Sequence, residues 1–351
     1  MEIYAHKSFD AHQQVVFAND NRSGLKAIIA IHRQGPGRAL GGCRMRDYKT
    51  VDEALNDVLR LSRGMTFKNV MAGIPFGGSK CVIIGDPLGQ KTRDLMLSMG
   101  SLVETLGGRV VTGEDIGIGL ADAETMRERT PHVAGWHGKD SSEPAAHSAF
   151  AALRSVARHR LGAAGFDGLR ISIQGAGKVG GTLCELLVRN GATVAITDVD
   201  AKCLDPFRDR SGIEIVAADE IHSVRADLHS PCALGGTITA ASIDELSKHG
   251  VKAIAGAANN QLADASIGSE LASAGILYAP DYIANAGGVI SHGLALDSNS
   301  EYSREIVFSR CAGLYEVLIE VFERAEKQGI DTAAMADQIA IEKLVKRDGS
   351  Y

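Results

Sequence analysis

The stretch MAGIPFGGSKCVIIGDP, Met71 to Pro87, sets Gly73, Gly77, Gly78 and a proline ahead of a single lysine, Lys80, that opens a β-branched run. A glycine inside ordered structure costs about 0.5–1 kcal/mol relative to alanine, so the spacing predicts either a tight turn or a backbone that something approaches closely. An irregular turn before a strand satisfies the same residues, and the stretch alone leaves both readings open. A second group is more specific. In LRISIQGAGKVGGTLCELLVRNGATVAITDVD an apolar strand at Leu169–Ile173 runs into Gly175, Ala176, Gly177, Lys178, Val179 and Gly180, then a helix to Asn190 and a strand ending at Asp198. A glycine-rich turn between strand and helix lets a pyrophosphate reach the helix N-terminus, whose unpaired N–H groups and dipole favour an anion. Asp198 can accept hydrogen bonds from a ribose diol and opposes a 2′-phosphate, which favours NAD over NADP; Lys202 nearby softens that preference. Asn259 and Asn260 follow a third apolar run, at the edge where sheets of this kind bind ligands, although an Asn-rich turn accounts for them equally.

These groups need elements to hold them. TVDEALNDVLRLSRG reads as a helix from Thr50, with Thr50 and Glu53 as a capping box and Leu55, Val58 and Leu59 at core spacing. Strand-like runs follow at Lys80–Gly85 and Arg109–Thr112. Periodicity breaks near Gly135–Pro144, and a helix resumes over Ala149–Leu161. Beyond the glycine-rich unit, short apolar strands fall around Ile213–Val216, Ala226–His229 and Val251–Ala255. A long amphipathic helix is expected over Glu301–Lys327, stopped by Gly329, with a last helix from Asp331.

Composition narrows the function classes. At 351 residues the chain has room for two domains. A net charge of −6, with no basic run, gives no nucleic-acid footprint. No stretch approaches the ~20 apolar residues of a membrane span. The N-terminus has neither a signal peptide nor a transit pattern. Six scattered cysteines without CxxC or Cys/His clustering favour reduced thiols over a disulfide framework or a metal site. The expected compartment is the cytoplasm.

Seven segments then recur in order: LGGCRM (Leu40–Met45), RGMTFKNVMAGIPFGGSK (Arg63–Lys80), TGEDIG (Thr112–Gly117), QGAGKVG, PCALGG (Pro231–Gly236), AGAANNQL and APDYIANAGGVI (Ala279–Ile290). Together they resemble the glutamate/leucine/phenylalanine/valine dehydrogenases, nearest the leucine and phenylalanine branches, over almost the whole chain. The resemblance implies an α/β protein of two domains. Residues 1–140 form an N-terminal α/β substrate and catalytic domain, to which 327–351 return as helices packing back on it. Residues 141–326 form a doubly wound Rossmann NAD-binding domain. It further implies NAD-dependent, reversible oxidative deamination of an apolar L-amino acid to the 2-oxo acid and ammonia, in a homo-oligomer, with a hinge that closes the cleft between the domains.

Roles carry over residue by residue. Lys68, in the GMTFKN segment with Met65, resembles the lysine that holds the substrate carboxylate. Lys80, buried near other positive charge, would polarise or deprotonate the attacking water. Asp115 matches the family's catalytic aspartate, a proton acceptor for the substrate ammonium, whereas its neighbour Glu114 points the other way. Gly41 and Gly42 would offer N–H groups to the substrate. Asn285 resembles a substrate-binding asparagine, and Asn259 and Asn260 resemble those near the nicotinamide ribose. Leu40 stands where glutamate dehydrogenases carry lysine; a distal carboxylate left unpaired there costs roughly several kcal/mol, which disfavours glutamate. Gly113, Val289 and His292 resemble further side-chain pocket positions. Gly113 replaces an alanine of the leucine branch and is expected to add volume, tilting preference towards phenylalanine, leucine or tryptophan. His292 replaces a valine, and either stacks on the substrate or turns away. Two departures stand out: Ser79 for a glycine, and Ala146 in a stretch where relatives have a threonine near the cofactor. Two other classes remain on sequence grounds, a catalytically silent regulatory or structural relative and another NAD-dependent oxidoreductase acting on glutamate or a hydroxy acid. Retention of Lys68, Lys80 and Asp115 speaks against the first. The absence of a histidine motif with an orienting carboxylate speaks against a hydroxy-acid enzyme.

Overall fold

The computed structural model describes residues 2–135, 141–297 and 302–349. It divides into two compact units: Met1–Asp140 with His292–Ser300 and Arg347–Tyr351, and Ser141–Ser291 with Glu301–Lys346.

The first unit holds a mixed sheet of β1 (Gln14–Asp20), β2 (Leu25–Arg33), β3 (Ala39–Leu40), β4 (Cys43–Arg46), β5 (Gly77–Ile84) and β6 (Val110–Val111). The order is β1-β2-β5-β3-β6, with β4 also paired to β5. Strands β3 and β4 are two pieces of one line running parallel to β5, with Leu40 opposite Gly78 and Cys43 opposite Cys81. The line breaks at Gly41–Gly42, alongside Ser79 and Lys80. Helix α1 (Val51–Met71) lies on the sheet with Ala54, Leu55, Val58 and Leu59 buried against Ile28, Ala30 and Val82. Thr50 caps it by accepting from Glu53 N at 3.1 Å, but Glu53 reaches back to Lys49 N rather than to the cap residue, so the expected capping box closes one residue early. Helices α2 (Arg93–Glu104) and α3 (Leu120–Arg127) complete the unit, and α2 buries Leu95, Met96, Met99 and Val103 beside Met126 of α3.

The second unit is a parallel sheet of β7 (Arg170–Gln174), β8 (Thr193–Thr197), β9 (Ile213–Ile215), β10 (Leu228–Pro231), β11 (Ala253–Ile254) and β12 (Leu277–Tyr278). Its order, β12-β11-β10-β7-β8-β9, is the dinucleotide-binding arrangement, with the topological switch between β7 and β10. Helix α4 (Ser142–Leu161) starts within the stretch expected to be a break, because Pro144 falls in the first turn, where its missing N–H has no partner to lose. The remaining part of that expected break, 136–140, lies outside the described residues. Helix α5 (Lys178–Arg189) follows the glycine-rich turn, α6 (Ala201–Leu204), α7 (Ala240–Lys248) and α8 (Ile267–Ser273) link the later strands, and α9 (Asp281–Ala284) and α10 (Gly287–Leu296) follow β12, with α10 divided between the units at Ser291/His292.

The C-terminal helices α11 (Arg304–Gln328) and α12 (Thr332–Asp348) correct one expectation. Helix α11 lies in the second unit, as expected for residues up to 326; of the return expected over 327–351, residues up to Lys346 also belong to the second unit and only Arg347–Tyr351 to the first. The reason is where their contacts are satisfied. Helix α11 buries Val307, Leu314, Leu318, Val321 and Phe322 and packs along α4. At the start of α12, Thr332 Oγ1 donates to Tyr278 O at 2.6 Å, and Tyr282 OH donates to Asp337 at 3.1 Å. Arg347 Nη1 donates to Phe76 O at 3.1 Å within the first unit.

Burial also makes this fold acid-labile. His229 on β10 is wholly buried, its Nδ1 is 2.8 Å from Ser172 Oγ, and burial together with neighbouring His222 pushes its pKa down to about 3. The unfolded histidine takes a proton near pH 6.5 whereas the folded one does not until about 3, so the stability this difference protects is present above pH 6.5 and lost as pH falls from there towards 3. By pH 5 the loss is about 2 kcal/mol for His229. His12, pushed to about 4, acts in the same direction. Chemical denaturation at pH 7 and pH 5 should show this drop, and a His229→Leu variant should show less of it.

Candidate active site

The break in the β3–β4 line gives Lys80 its place. On β5 it stands beside Gly42, where a Cβ would lie 2.6 Å from Glu114 O, 3.0 Å from Asp115 Cβ and 3.3 Å from Lys80 Nζ. A Cβ on Gly41 would sit 1.7 Å from Ser79 O. Both positions therefore demand glycine because protein backbone, with no ligand involved, already fills the space. Gly77 and Gly78 answer the question raised by their spacing in the same way. A Cβ on the first would meet Arg33 O at 1.9 Å, and on the second Thr66 N at 2.1 Å, so they seat β5 against β2 and α1. Gly73 supplies the left-handed turn after α1, with φ +66°. The Gly41 N–H is engaged too, donating to Val111 O at 3.1 Å, so it is not available to a substrate as expected.

Lys80 Nζ lies 3.0 Å from Asp115 Oδ2, and Arg44 Nε donates to that same oxygen at 2.8 Å. Lys80 is buried, and the Asp115 side chain keeps 19% of its surface. The burial and neighbouring cation expected around Lys80 are both present, with the carboxylate between them. Burial pushes the Asp115 carboxyl up, but the charges and hydrogen bonds of Lys80 and Arg44 outweigh it and hold the group below its ordinary value. No hydrogen bond reaches Asp115 Oδ1 among the described residues. Glu114, its neighbour, is exposed.

Other expected substrate residues of the first unit lie on the neighbouring segments. Leu40 is buried at the end of β3, and Met65 Cγ covers the Gly41 position at 3.4 Å. Lys68 is half-buried in the last turn of α1. Next to it, Asn69 Nδ2 donates to Gly77 O at 2.6 Å and Leu40 O at 3.3 Å, tying α1 to both strands; this residue sits inside the GMTFKN segment but was not distinguished there by spacing. Gly113 O accepts from Cys43 N at 2.8 Å. A Cβ there would lie 3.3 Å from Ala134 O and 3.5 Å from Ala134 Cβ, close to ordinary contact, so Ala134 is the neighbour that bounds the space beside Gly113. Ser79 is buried with no partner for its hydroxyl among the described residues.

In the second unit the glycine-rich turn meets the switch point. Gly175 has φ +108°, and a Cβ there would lie 2.8 Å from Ala233 N; on Gly180 it would lie 1.9 Å from Gly175 O. Gly177 differs, because a Cβ there would meet nothing within 4 Å. Helix α5, with Lys178 and Val179 in its first turn, opens at Gly177 without a side-chain cap. Asp198 Oδ2 accepts from Ala176 N at 2.7 Å and Oδ1 from Asp200 N at 2.9 Å, fixing the carboxylate against the turn. Asn285 and Asn259 come together: Asn285 Nδ2 donates to Asn259 Oδ1 at 3.0 Å and to Ala258 O at 3.1 Å. Asn285 Oδ1 is buried with no partner among the described residues. Asn260 adopts φ +51°, and its carbonyl accepts from Gly236 N at 2.7 Å. Ala146 is fully buried in α4. Val289 and His292 are both half-buried and three residues apart on α10, which places them on one helix face. Burial lowers the His292 pKa and keeps its ring neutral.

Arg44 and Asp57 are the members of this site that spacing did not reveal. Arg44 lies within the LGGCRM segment, but its carboxylate partners are 13 and 71 residues away.

Residues 7–132 match the family model described as Glu/Leu/Phe/Val dehydrogenase, dimerisation domain, and residues 201–349 match glutamate/leucine/phenylalanine/valine dehydrogenase. The chain is 42% identical over 346 residues to a phenylalanine dehydrogenase of Caldalkalibacillus thermarum, covering 96% of this chain and 92% of that protein. It is 37% identical over 349 residues to a leucine dehydrogenase of Thermoactinomyces intermedius, covering 98% and 94%. Among solved structures, L-tryptophan dehydrogenase from Nostoc punctiforme superposes with a TM-score of 0.84 at 35% identity, covering 96% of this chain and 97% of that one. The identities over nearly full length and the two family matches make this chain a member of the glutamate/leucine/phenylalanine/valine dehydrogenase family, an amino-acid dehydrogenase.

Proposed function

We propose that the chain carries out reversible oxidative deamination of a large apolar or aromatic L-amino acid, of the phenylalanine, leucine or tryptophan type, to its 2-oxo acid and ammonia, with NAD as redox cofactor. The observation that carries the reading is the Lys80–Asp115 pair at 3.0 Å, with one carboxylate oxygen uncommitted among the described residues. Asp115, through Oδ1, takes a proton from the substrate α-ammonium. Asp115 passes that proton to solvent before the imine is hydrated. Lys80 Nζ then donates a hydrogen bond to the water that adds at Cα, and Asp115 takes up that water's proton and gives it to the amine nitrogen. The amine leaves as ammonia while the new hydroxyl loses its proton to become the 2-oxo group. Lys68 binds the α-carboxylate as a charge partner. Asn285 Oδ1, an acceptor without a donor among the described residues, suits an N–H of the bound substrate.

The second unit fits the cofactor. The open space over Gly177, the uncapped start of α5 and the carboxylate of Asp198 are what a pyrophosphate and a ribose diol require, with Asn259 and Asn260 on the nicotinamide side. NAD, when bound, supplies the acceptor for the hydride that leaves Cα. Asp198 sets the preference for NAD by repelling a 2′-phosphate.

Substrate choice rests on Leu40, Val289 and neutral His292, none of which offers a cation to a distal carboxylate. Leucine, phenylalanine and tryptophan should therefore reduce NAD with kcat/KM at least about 10²-fold above glutamate. A panel of L-amino acids and hydroxy acids, read by NADH absorbance, decides this. Preference for glutamate or turnover of hydroxy acids would overturn the assignment, and silence would point to a regulatory subunit. The match of residues 7–132 to a dimerisation domain supports a homo-oligomer.

A further inference from the structure

We infer that Arg44, itself locked by Asp57, is a positioning residue that fixes the plane of the Asp115 carboxylate, keeping one oxygen bound and presenting the other to the substrate amine. The inference rests on the activity proposed above. Arg44 on β4 is buried, and its guanidinium is held at both ends: Nε donates to Asp115 Oδ2 at 2.8 Å, and Nη1 donates to Asp57 Oδ2 at 2.9 Å. Asp57, from α1, is buried and satisfied in turn. Its Oδ2 also accepts from Tyr48 OH at 2.7 Å, and its Oδ1 from Arg60 Nη2 at 3.0 Å. A planar fork bound at two points cannot rotate without breaking one bond, whereas a lysine is a point charge on a flexible stem. Lys80 alone would leave the carboxylate free to swing about its Cβ–Cγ bond. Lys80 and Arg44 together converge on one oxygen and define the plane.

Arg44 also acts on the charge of Asp115. Burial pushes that carboxyl up, and Lys80 from β5 with Arg44 from β4 bring it down. The other titratable groups around it are Asp57, Tyr48 and Arg60 behind Arg44, and the buried Cys43 thiol, which burial keeps protonated. Removing the guanidinium takes away one of the two cations, so Asp115 should bind its proton at higher pH. As a base it must be deprotonated, and the acid limb of kcat/KM should move up.

Arg44→Met, Arg44→Lys and Asp57→Asn in the full chain test this, each with a thermal melt, kcat and KM for L-phenylalanine, and a kcat/KM profile against pH. Arg44→Met should move the acid limb up by about one pH unit and lower kcat about 10²-fold with KM within about threefold. Arg44→Lys should recover part of the pH shift and less of kcat. Asp57→Asn, nearly isosteric, releases one end of Arg44 and should lower kcat by less, with the acid limb unmoved or lower because a nearby negative charge is lost. An acid limb that stays at the wild-type position in a folded Arg44→Met variant overturns the inference, whatever its rate. Should that variant not fold, Arg44→Gln, which removes the same charge, decides by the same criterion: a limb that moves up supports the inference and an unmoved one overturns it. Absence of amino-acid turnover by the wild type overturns the proposed activity and this inference with it, whereas an active wild type with unmoved Arg44 variants overturns this inference alone.

Discussion

Lys80→Ala should lower kcat/KM by roughly 10³- to 10⁴-fold, about 4–5.5 kcal/mol of transition-state stabilisation, while NAD binding stays within about twofold of wild type. The separation follows from where the groups lie. Lys80 is in the first unit with Asp115 and Arg44, and the glycine-rich turn and Asp198 are in the second. Truncation removes the donor to the attacking water and one of two cations on Asp115, but Arg44 stays on Oδ2, so the carboxylate is not left unpaired in a buried site. Steady-state kinetics with L-phenylalanine, fluorescence titration with NADH and a melting curve check the three parts. A rate within tenfold of wild type in a folded variant would remove Lys80 from the chemistry.

Gly41→Ala should destabilise the first unit by about 4 kcal/mol or more, lowering its apparent melting temperature by ~10 °C. The added methyl would fall 1.7 Å from Ser79 O and 2.7 Å from Ser79 C, and both are backbone atoms that no rotamer change can move. The two strands would have to part, and the bond from Gly41 N–H to Val111 O, at 3.1 Å, would be lost. Gly64 provides the contrast within α1, since a Cβ there meets nothing within 4 Å. Gly64→Ala should raise stability by about 0.5–1 kcal/mol through helix propensity and a less flexible unfolded chain. Scanning calorimetry of both variants against wild type decides the matter; equal melting temperatures for Gly41→Ala and wild type would refute the close-approach account.

The second unit was readable because its signals are local. Strand, glycine turn, helix, strand and Asp198 occur within one short span, and each follows from its own periodicity. The first unit was less so. The β1–β2 hairpin escaped the sequence reading, as did the fact that β3 and β4 form one interrupted line, because that pairing is made with β5, a helix away in the chain. The acid and base residues came from resemblance to a family, since nothing in the spacing of Lys80 and Asp115 foretells a 3.0 Å contact. Arg44 and Asp57 were missed for the same reason. The destination of α11 and α12 was set by contacts with α4, Tyr278 and Tyr282, which amphipathicity alone cannot assign.

The interrupted β3–β4 line has a consequence for how this enzyme can be diversified in the laboratory. Adding or deleting one residue between Leu40 and Cys43 would turn every following side chain of β4 to the opposite face, sending Arg44 away from Asp115 and Asp57. Libraries seeking altered substrate scope should therefore keep the length of residues 39–46 and 77–84 unchanged. Insertions belong in the turn after β5 at Leu88, which is 96% exposed, leaving Pro87 and Lys91 on either side to keep their contacts with Gly117.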